Sequence, residues 1–309
     1  MKSADRVTIV EVGPRDGLQN ESASVPTDAK VAFIDRLSDS GLTHIEVTAF
    51  VSPKAIPQLA DAEQVCSRIE RRPGVTYSAL VPNVKGYRRA TDGAGLRDVA
   101  VFLSASETHN QRNIGCSVDQ AFDRYAEVCE AAADDGVHVR GYVSTAFGCP
   151  YEGFVPLDRV VAVARRLLDM GVAQVSLGDT TGMGNPAQVS ATVKALAEHA
   201  PPERIALHLH DTRGTGLANA LAGYNAGVAT FDASAGGLGG CPYAPGATGN
   251  VATDELVYMF HEMGVKTGVD LESLLQAAEF VAGAIGHEPP SRYLKATRAT
   301  QARQAAGSN

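Results

Sequence analysis

The sequence predicts an α/β fold, a TIM (β/α)8 barrel with short extra C-terminal helices, from three regularities. Short β-branched runs alternate eight times with helical patterns in about 260 residues. Glycines 41, 74, 95, 136, 171 and 227 fall where helices turn back into strands. Several runs alternate apolar and polar residues, as Val99, Val101 and Leu103 do with Asp98, Ala100 and Phe102.

The elements follow in order. Strands are expected near Val7–Val12, Thr43–Thr48, Thr76–Val81, Asp98–Leu103, His138–Ser144, Gln174–Gly178, Ile205–His210 and Thr230–Ser234. Helical periodicity covers Asp28–Ser40, Pro57–Arg71, Val84–Ala94, Val118–Asp135, Leu157–Met170, Pro186–Ala200, Leu217–Ala226 and Val251–Met263. The apolar side of each strand suits an outer ring of helices. The polar side then points into the barrel, where buried polar groups need partners. A doubly wound open sheet is the alternative, but no Gly-x-Gly-x-x-Gly follows the first strand. We expect residues 1–265 to form the barrel and 266–309 a helical extension. Its polar, Ala-rich stretch from Lys295 is expected to be loosely ordered.

Composition narrows the function. The chain has 309 residues, 44% hydrophobic and 20% charged, with a net charge of -8. That charge argues against nucleic-acid and anionic-membrane partners. No run of about 18 apolar residues suggests a membrane span, and the N-terminus shows no signal-peptide core. Five cysteines without a CxxC pair fit reduced thiols in a cytoplasm.

Chemistry concentrates at strand ends. In Ile205–His210, His208 and His210 share one strand face, so one metal ion could meet both imidazoles. The alternative is a hydrogen-bonded pair inside the barrel. Asp16 could add an oxygen ligand suited to Mg²⁺, Mn²⁺ or Zn²⁺, or act only in a turn, as could Asp211. Arg15 is either a clamp on a developing oxyanion or half of a structural ion pair. Cys241, in a glycine-rich loop, is either a proton donor or nucleophile, or a small buried hydrophobe. Glu46 and Asp179 are acid–base candidates, or partners for Arg15 and a histidine.

Taken together, Val12-Gly13-Pro14-Arg15-Asp16-Gly17-Leu18-Gln19-Asn20-Glu21, Phe50-Val51-Ser52-Pro53-Lys54, Val139-Arg140-Gly141-Tyr142, Gly148-Cys149-Pro150-Tyr151, His208-Leu209-His210-Asp211 and Gly237-Leu238-Gly239-Gly240-Cys241-Pro242-Tyr243 resemble the 3-hydroxy-3-methylglutaryl-CoA lyase family. Ser176–Thr180 and Gly249-Asn250-Val251-Ala252-Thr253 extend the match to about residues 7–260. The family lies among metal-dependent TIM-barrel lyases and Claisen-type synthases. The resemblance implies Mg²⁺ or Mn²⁺ ligation by Asp16, His208, His210 and Asn250. It implies catalytic roles for Arg15, Cys241, His208, Glu46 and Asp179, and substrate contacts from Arg15, Gln19, Arg112 and Asn113. The expected reaction cleaves 3-hydroxy-3-methylglutaryl-CoA to acetyl-CoA and acetoacetate in a homodimer, with His208 or Asp179 as base. Ala49 and Ala55 depart from the family's usual Ser and Trp. Citramalyl-CoA, a longer branched substrate, a Claisen-type synthase and a non-catalytic CoA-binding barrel are the alternatives.

Overall fold

The computed structural model describes residues 4–241 and 244–307, without the side chains of residues 240–247, 305 and 307. Eight parallel strands close into a barrel in sequence order: β1 Thr8–Glu11, β2 His44–Ala49, β3 Thr76–Leu80, β4 Asp98–Ser104, β5 His138–Ser144, β6 Gln174–Gly178, β7 Ile205–His208 and β8 Thr230–Ala233. Ladder pairs such as Val10↔Asp232 join β1 to β8 and complete the circle. Closure rules out the open sheet and sends every strand C-terminus to one mouth, the face where such barrels carry chemistry.

The alternation in the sequence becomes two cores. Ile45, Val47, Val99, Val101, Val139 and Val143 belong to the large cluster between the barrel and its helices. Ala49, Leu80, Ala100 and Tyr142 form a smaller cluster on the opposite strand faces, with Leu59 and partly buried Phe102. The rest of the barrel interior is largely polar and includes buried Glu46, Ser176, His208 and Asp232.

All but one of the outer helices follow their sequence signals. They are α1 Thr27–Asp39, α2 Ala62–Arg68, α3 Val84–Arg88, α4 Glu107–Ile114, α5 Val118–Asp135, α6 Leu157–Asp169, α7 Pro186–Leu196, α8 Gly216–Asn225 and α9 Thr253–Glu262. Helix α5 opens on a capping box in which Ser117 and Gln120 satisfy each other's backbone N–H. Asn185 caps α7, whose first residue is Pro186. Gly41 turns α1 into β2 at φ +86°, and a Cβ there would lie 2.4 Å from the Gly268 carbonyl oxygen.

Several expectations need correction. The helix expected over 57–71 is a 3-10 turn, Pro57–Leu59, followed by α2. The helix expected over 84–94 ends as a π-type turn, Arg89–Gly93. Helix α4 was not foreseen, because Glu107–Ile114 is almost wholly polar and has no apolar stripe. After the barrel, α10 Leu271–Ile285 packs on α1, and α11 Arg292–Gly307 follows. The stretch from Lys295 is thus helical through Gly307, where composition had suggested loose order. Among the described residues, no helix is long and apolar enough to cross a membrane.

Candidate active site

The two histidines sit where β7 leaves the barrel. Regular pairing stops at His208, and His210 makes only an isolated bridge to Asn250. The shared face survives this change. Both rings are buried, and their Nε2 atoms lie 3.3 Å apart. Burial pushes the His210 imidazole down to about 3. His210 is therefore neutral at physiological pH and keeps a lone pair, as a metal ligand must.

The segment after β1 brings the third group. Gly13–Gly17 forms a π-type turn that presents Arg15 and Asp16 together. Gly17 lets this turn press against the loop after β8, since a Cβ there would meet Leu238 Cβ and Ser234 Oγ at 2.9 Å. One ligand atom each from Asp16, His208 and His210 fall within 4.8 Å of one another, the one such cluster among the described residues. Burial alone would raise the Asp16 carboxyl. The charge of Arg15, with a hydrogen bond from Asn250, outweighs burial and holds it well below the usual carboxylate range. An ionised carboxylate beside two imidazoles, with His210 Nδ1 buried and unpartnered, fits a divalent cation.

Arg15 is clamped on both sides. Its NH1 donates to Asp16 at 2.5 Å and its Nε to Glu46. The other oxygen of Glu46 accepts from the Tyr142 hydroxyl at 3.0 Å. Burial opposes the guanidinium charge, but Glu46 and Asp16 overcome it and raise its proton affinity further. Glu46 therefore orients Arg15, and both of its oxygens are engaged.

The remaining expected residues divide. Asp179, at the end of β6, is fully buried, and burial pushes it up to about 6 despite hydrogen bonds from the Gly184 and Met183 N–H groups. Asn250 stands beside Asp16, but its Nδ2 faces the cluster, donating to Asp16 Oδ2 at 2.9 Å and to the Leu238 carbonyl. In this orientation it steadies the carboxylate; ligation requires turning the amide. Gln19 follows the π-type turn, with Oε1 buried and unpartnered. Arg112 and Asn113 lie exposed on α4, and the Arg112 guanidinium stacks 4.3 Å from the Tyr151 ring. The Cys241 side chain lies outside the described residues. Asp211 serves as a turn residue, accepting from Gly216 N–H at 2.8 Å.

Residues given no role from sequence complete the interior. Arg140, Tyr142 and Asp232 carry most of the polar network beneath the mouth. Their signal was strand parity: each is polar at an inward position. A second omission is Glu11, which accepts from Gly13 N–H, Ala235 N–H and the Thr253 hydroxyl and so joins three segments behind the site.

Comparison with known proteins agrees with this geometry. A sequence profile described as HMGL-like matches residues 6–281. The chain belongs to the HMGL-like family. It is 49% identical over 290 residues to the hydroxymethylglutaryl-CoA lyase YngG of Bacillus subtilis, covering 94% of this chain and 97% of that protein. The crystal structure of hydroxymethylglutaryl-CoA lyase from Pseudomonas aeruginosa superposes with a TM-score of 0.95 at 47% identity, covering 97% of this chain and 100% of that one. An HMG-CoA lyase from Acinetobacter baumannii, in complex with coenzyme A and 3-methylmalate, gives 0.91 at 43% identity, covering 96% and 97%. The fold and the carbon–carbon lyase class are those of the family.

Proposed function

We propose that this protein cleaves 3-hydroxy-3-methylglutaryl-CoA to acetyl-CoA and acetoacetate. The carrying observation is the Asp16–His208–His210 cluster beside a clamped Arg15, in a chain of this family. Asp16, His208 and His210 would hold Mg²⁺ or Mn²⁺, with Asn250 joining if its amide turns. Such an ion, when bound, polarises substrate oxygens and acidifies the 3-hydroxyl.

The protein's own groups supply the rest. Arg15 sets a fixed, oriented positive charge where the hydroxyl oxygen becomes anionic, without reorganising as it does so. Asp179 accepts the hydroxyl proton; its raised affinity, about 6, suits a base working near neutral pH. The C2–C3 bond breaks, C3 becomes the ketone of acetoacetate, and the bonding pair passes to the acetyl-CoA enolate. Cys241 gives the proton that quenches the enolate carbon. Gln19 contacts the acyl end, while Arg112 and Asn113 hold the CoA arm, consistent with the coenzyme A in the Acinetobacter structure. A cytoplasmic homodimer completes the reading; the cytoplasm rests on the thiol pattern and the dimer on the family resemblance.

The test is kcat/KM across tertiary 3-hydroxyacyl-CoA thioesters, including citramalyl-CoA and longer branched analogues. The panel is needed because Ala49 is a small residue on the apolar interior wall beside Tyr142. We expect the methylglutaryl thioester to lead. A preference of tenfold or more for another thioester would reassign the substrate, and inactivity on all of them would remove the proposal.

A further inference from the structure

The charged groups of the barrel interior form a closed ring. Arg15 bonds Glu46; Glu46 accepts from Tyr142 at 3.0 Å; the Tyr142 hydroxyl accepts from Arg140 NH1 at 3.0 Å. Arg140 then grips Asp232 with both prongs, NH2 to Oδ1 at 2.6 Å and NH1 to Oδ2 at 3.0 Å. Asp232 Oδ2 faces His208 Nδ1 at 3.3 Å, and His208 Nε2 lies 3.8 Å from Asp16, which returns to Arg15. Asp232 and Arg140 come from β8 and β5, on separate sides of the barrel. Neither has a part in the reaction described above.

The chemistry of Asp232 fixes a proton. The side chain is fully buried. Its Oδ1 and Oδ2 both accept from Arg140, and Oδ2 accepts again from Ser176 Oγ at 2.9 Å. With both oxygens taken up as acceptors, the carboxylate has no hydrogen to offer a neighbour. The imidazole atom that faces it must therefore be N–H. For a neutral ring, this leaves the lone pair on Nε2, the atom turned toward Asp16 and His210.

We propose that Asp232, held by Arg140, is a positioning residue that locks His208 in the Nδ1–H form and so aims its Nε2 lone pair at the metal position. The inference builds on the metal reading of the site. It also assigns His208 to ligation, with both ring nitrogens committed, and leaves the proton of the substrate hydroxyl to another group. A carboxylate behind a ligating histidine fixes ring orientation and strengthens the ligand.

The test reads the histidine directly. Two-bond ¹H–¹⁵N spectra of the full-length, ¹⁵N-histidine-labelled protein report which nitrogen carries the proton, with His208 assigned by its loss in His208→Gln. We expect the proton on Nδ1 both before and after addition of Mg²⁺. A proton on Nε2 before addition overturns the proposal. In a second arm, Mn²⁺ affinity of Asp232→Asn is read by electron paramagnetic resonance and should fall about 10–100-fold. A folded variant that binds Mn²⁺ within twofold of wild type also overturns it. If burying Arg140 without its counter-charge prevents that variant from folding, the wild-type spectrum decides, with Ser176→Ala as the milder perturbation expected to blur the single tautomer. A wild type that shows the Nδ1 proton but binds no Mn²⁺ supports the lock and removes the metal from the proposed function.

Discussion

Arg15 works through its restraints. With Nε on Glu46 and NH1 on Asp16, the guanidinium plane is fixed before substrate arrives. A lysine keeps the charge but cannot serve both carboxylates in that plane. We predict that Arg15→Lys lowers kcat by about 10²–10³-fold, as loss of a transition-state donor does, while Mn²⁺ still binds. Steady-state kinetics beside a metal titration checks this; a kcat within fivefold of wild type would contradict the role. Glu11 offers a test by pH. Burial pushes its carboxyl up to about 7 from 4.5, against hydrogen bonds from Thr253, Ala235 and Gly13. Between those values the folded chain keeps a proton that the unfolded chain has lost. Stability therefore falls as pH rises through that window, by about 3 kcal/mol for this group. Glu11→Gln mimics the protonated form and removes this dependence. In urea denaturation, the variant should gain on wild type between pH 5 and pH 8. Parallel pH curves for the two proteins would show that Glu11 does not titrate in this range.

The strands were legible in sequence because each shows the outer helices an apolar face, often β-branched, as Val139 and Val143 are in β5. Connections were legible where one residue type is required. Gly41 combines a left-handed φ of +86° with close approach to the Gly268 carbonyl. We predict that Gly41→Ala lowers stability by about 1–3 kcal/mol from backbone strain, seen as a drop in Tm, and by more if Gly268 cannot retreat. An unchanged Tm would mean that the turn has another conformation. Helix α4 was not legible, because its stability comes from the Ser106 cap and surroundings, with no apolar period of its own. The site divides along the same physical line. His208 and His210 are two residues apart, so strand parity revealed their shared face. Arg140 and Asp232 are 92 residues apart, and only barrel closure brings them together. Asn250 was foreseen near the site, but which amide atom faces Asp16 depends on the Leu238 carbonyl across the loop.

Barrel and extension act as one body around the mouth. Ser291, just before α11, bonds buried Asp254, whose other oxygen accepts from Gly236 N–H in the loop leading to Cys241. Arg292 reaches both Asp211, next to His210, and Glu255. The C-terminal helices thus brace the two segments that close the site, linking residues far beyond the barrel to the geometry of the Asp16–His208–His210 cluster. The central claim is that this assembly, with a divalent ion on Asp16, His208 and His210, breaks the C2–C3 bond of a tertiary 3-hydroxyacyl-CoA. It is tested most directly by product balance from 3-hydroxy-3-methylglutaryl-CoA, measured by mass spectrometry on chelator-treated protein before and after Mn²⁺ is restored. We predict no products from the treated protein and equimolar acetyl-CoA and acetoacetate on restoration. Intact thioester in the restored sample, or equal cleavage in both, would contradict the claim.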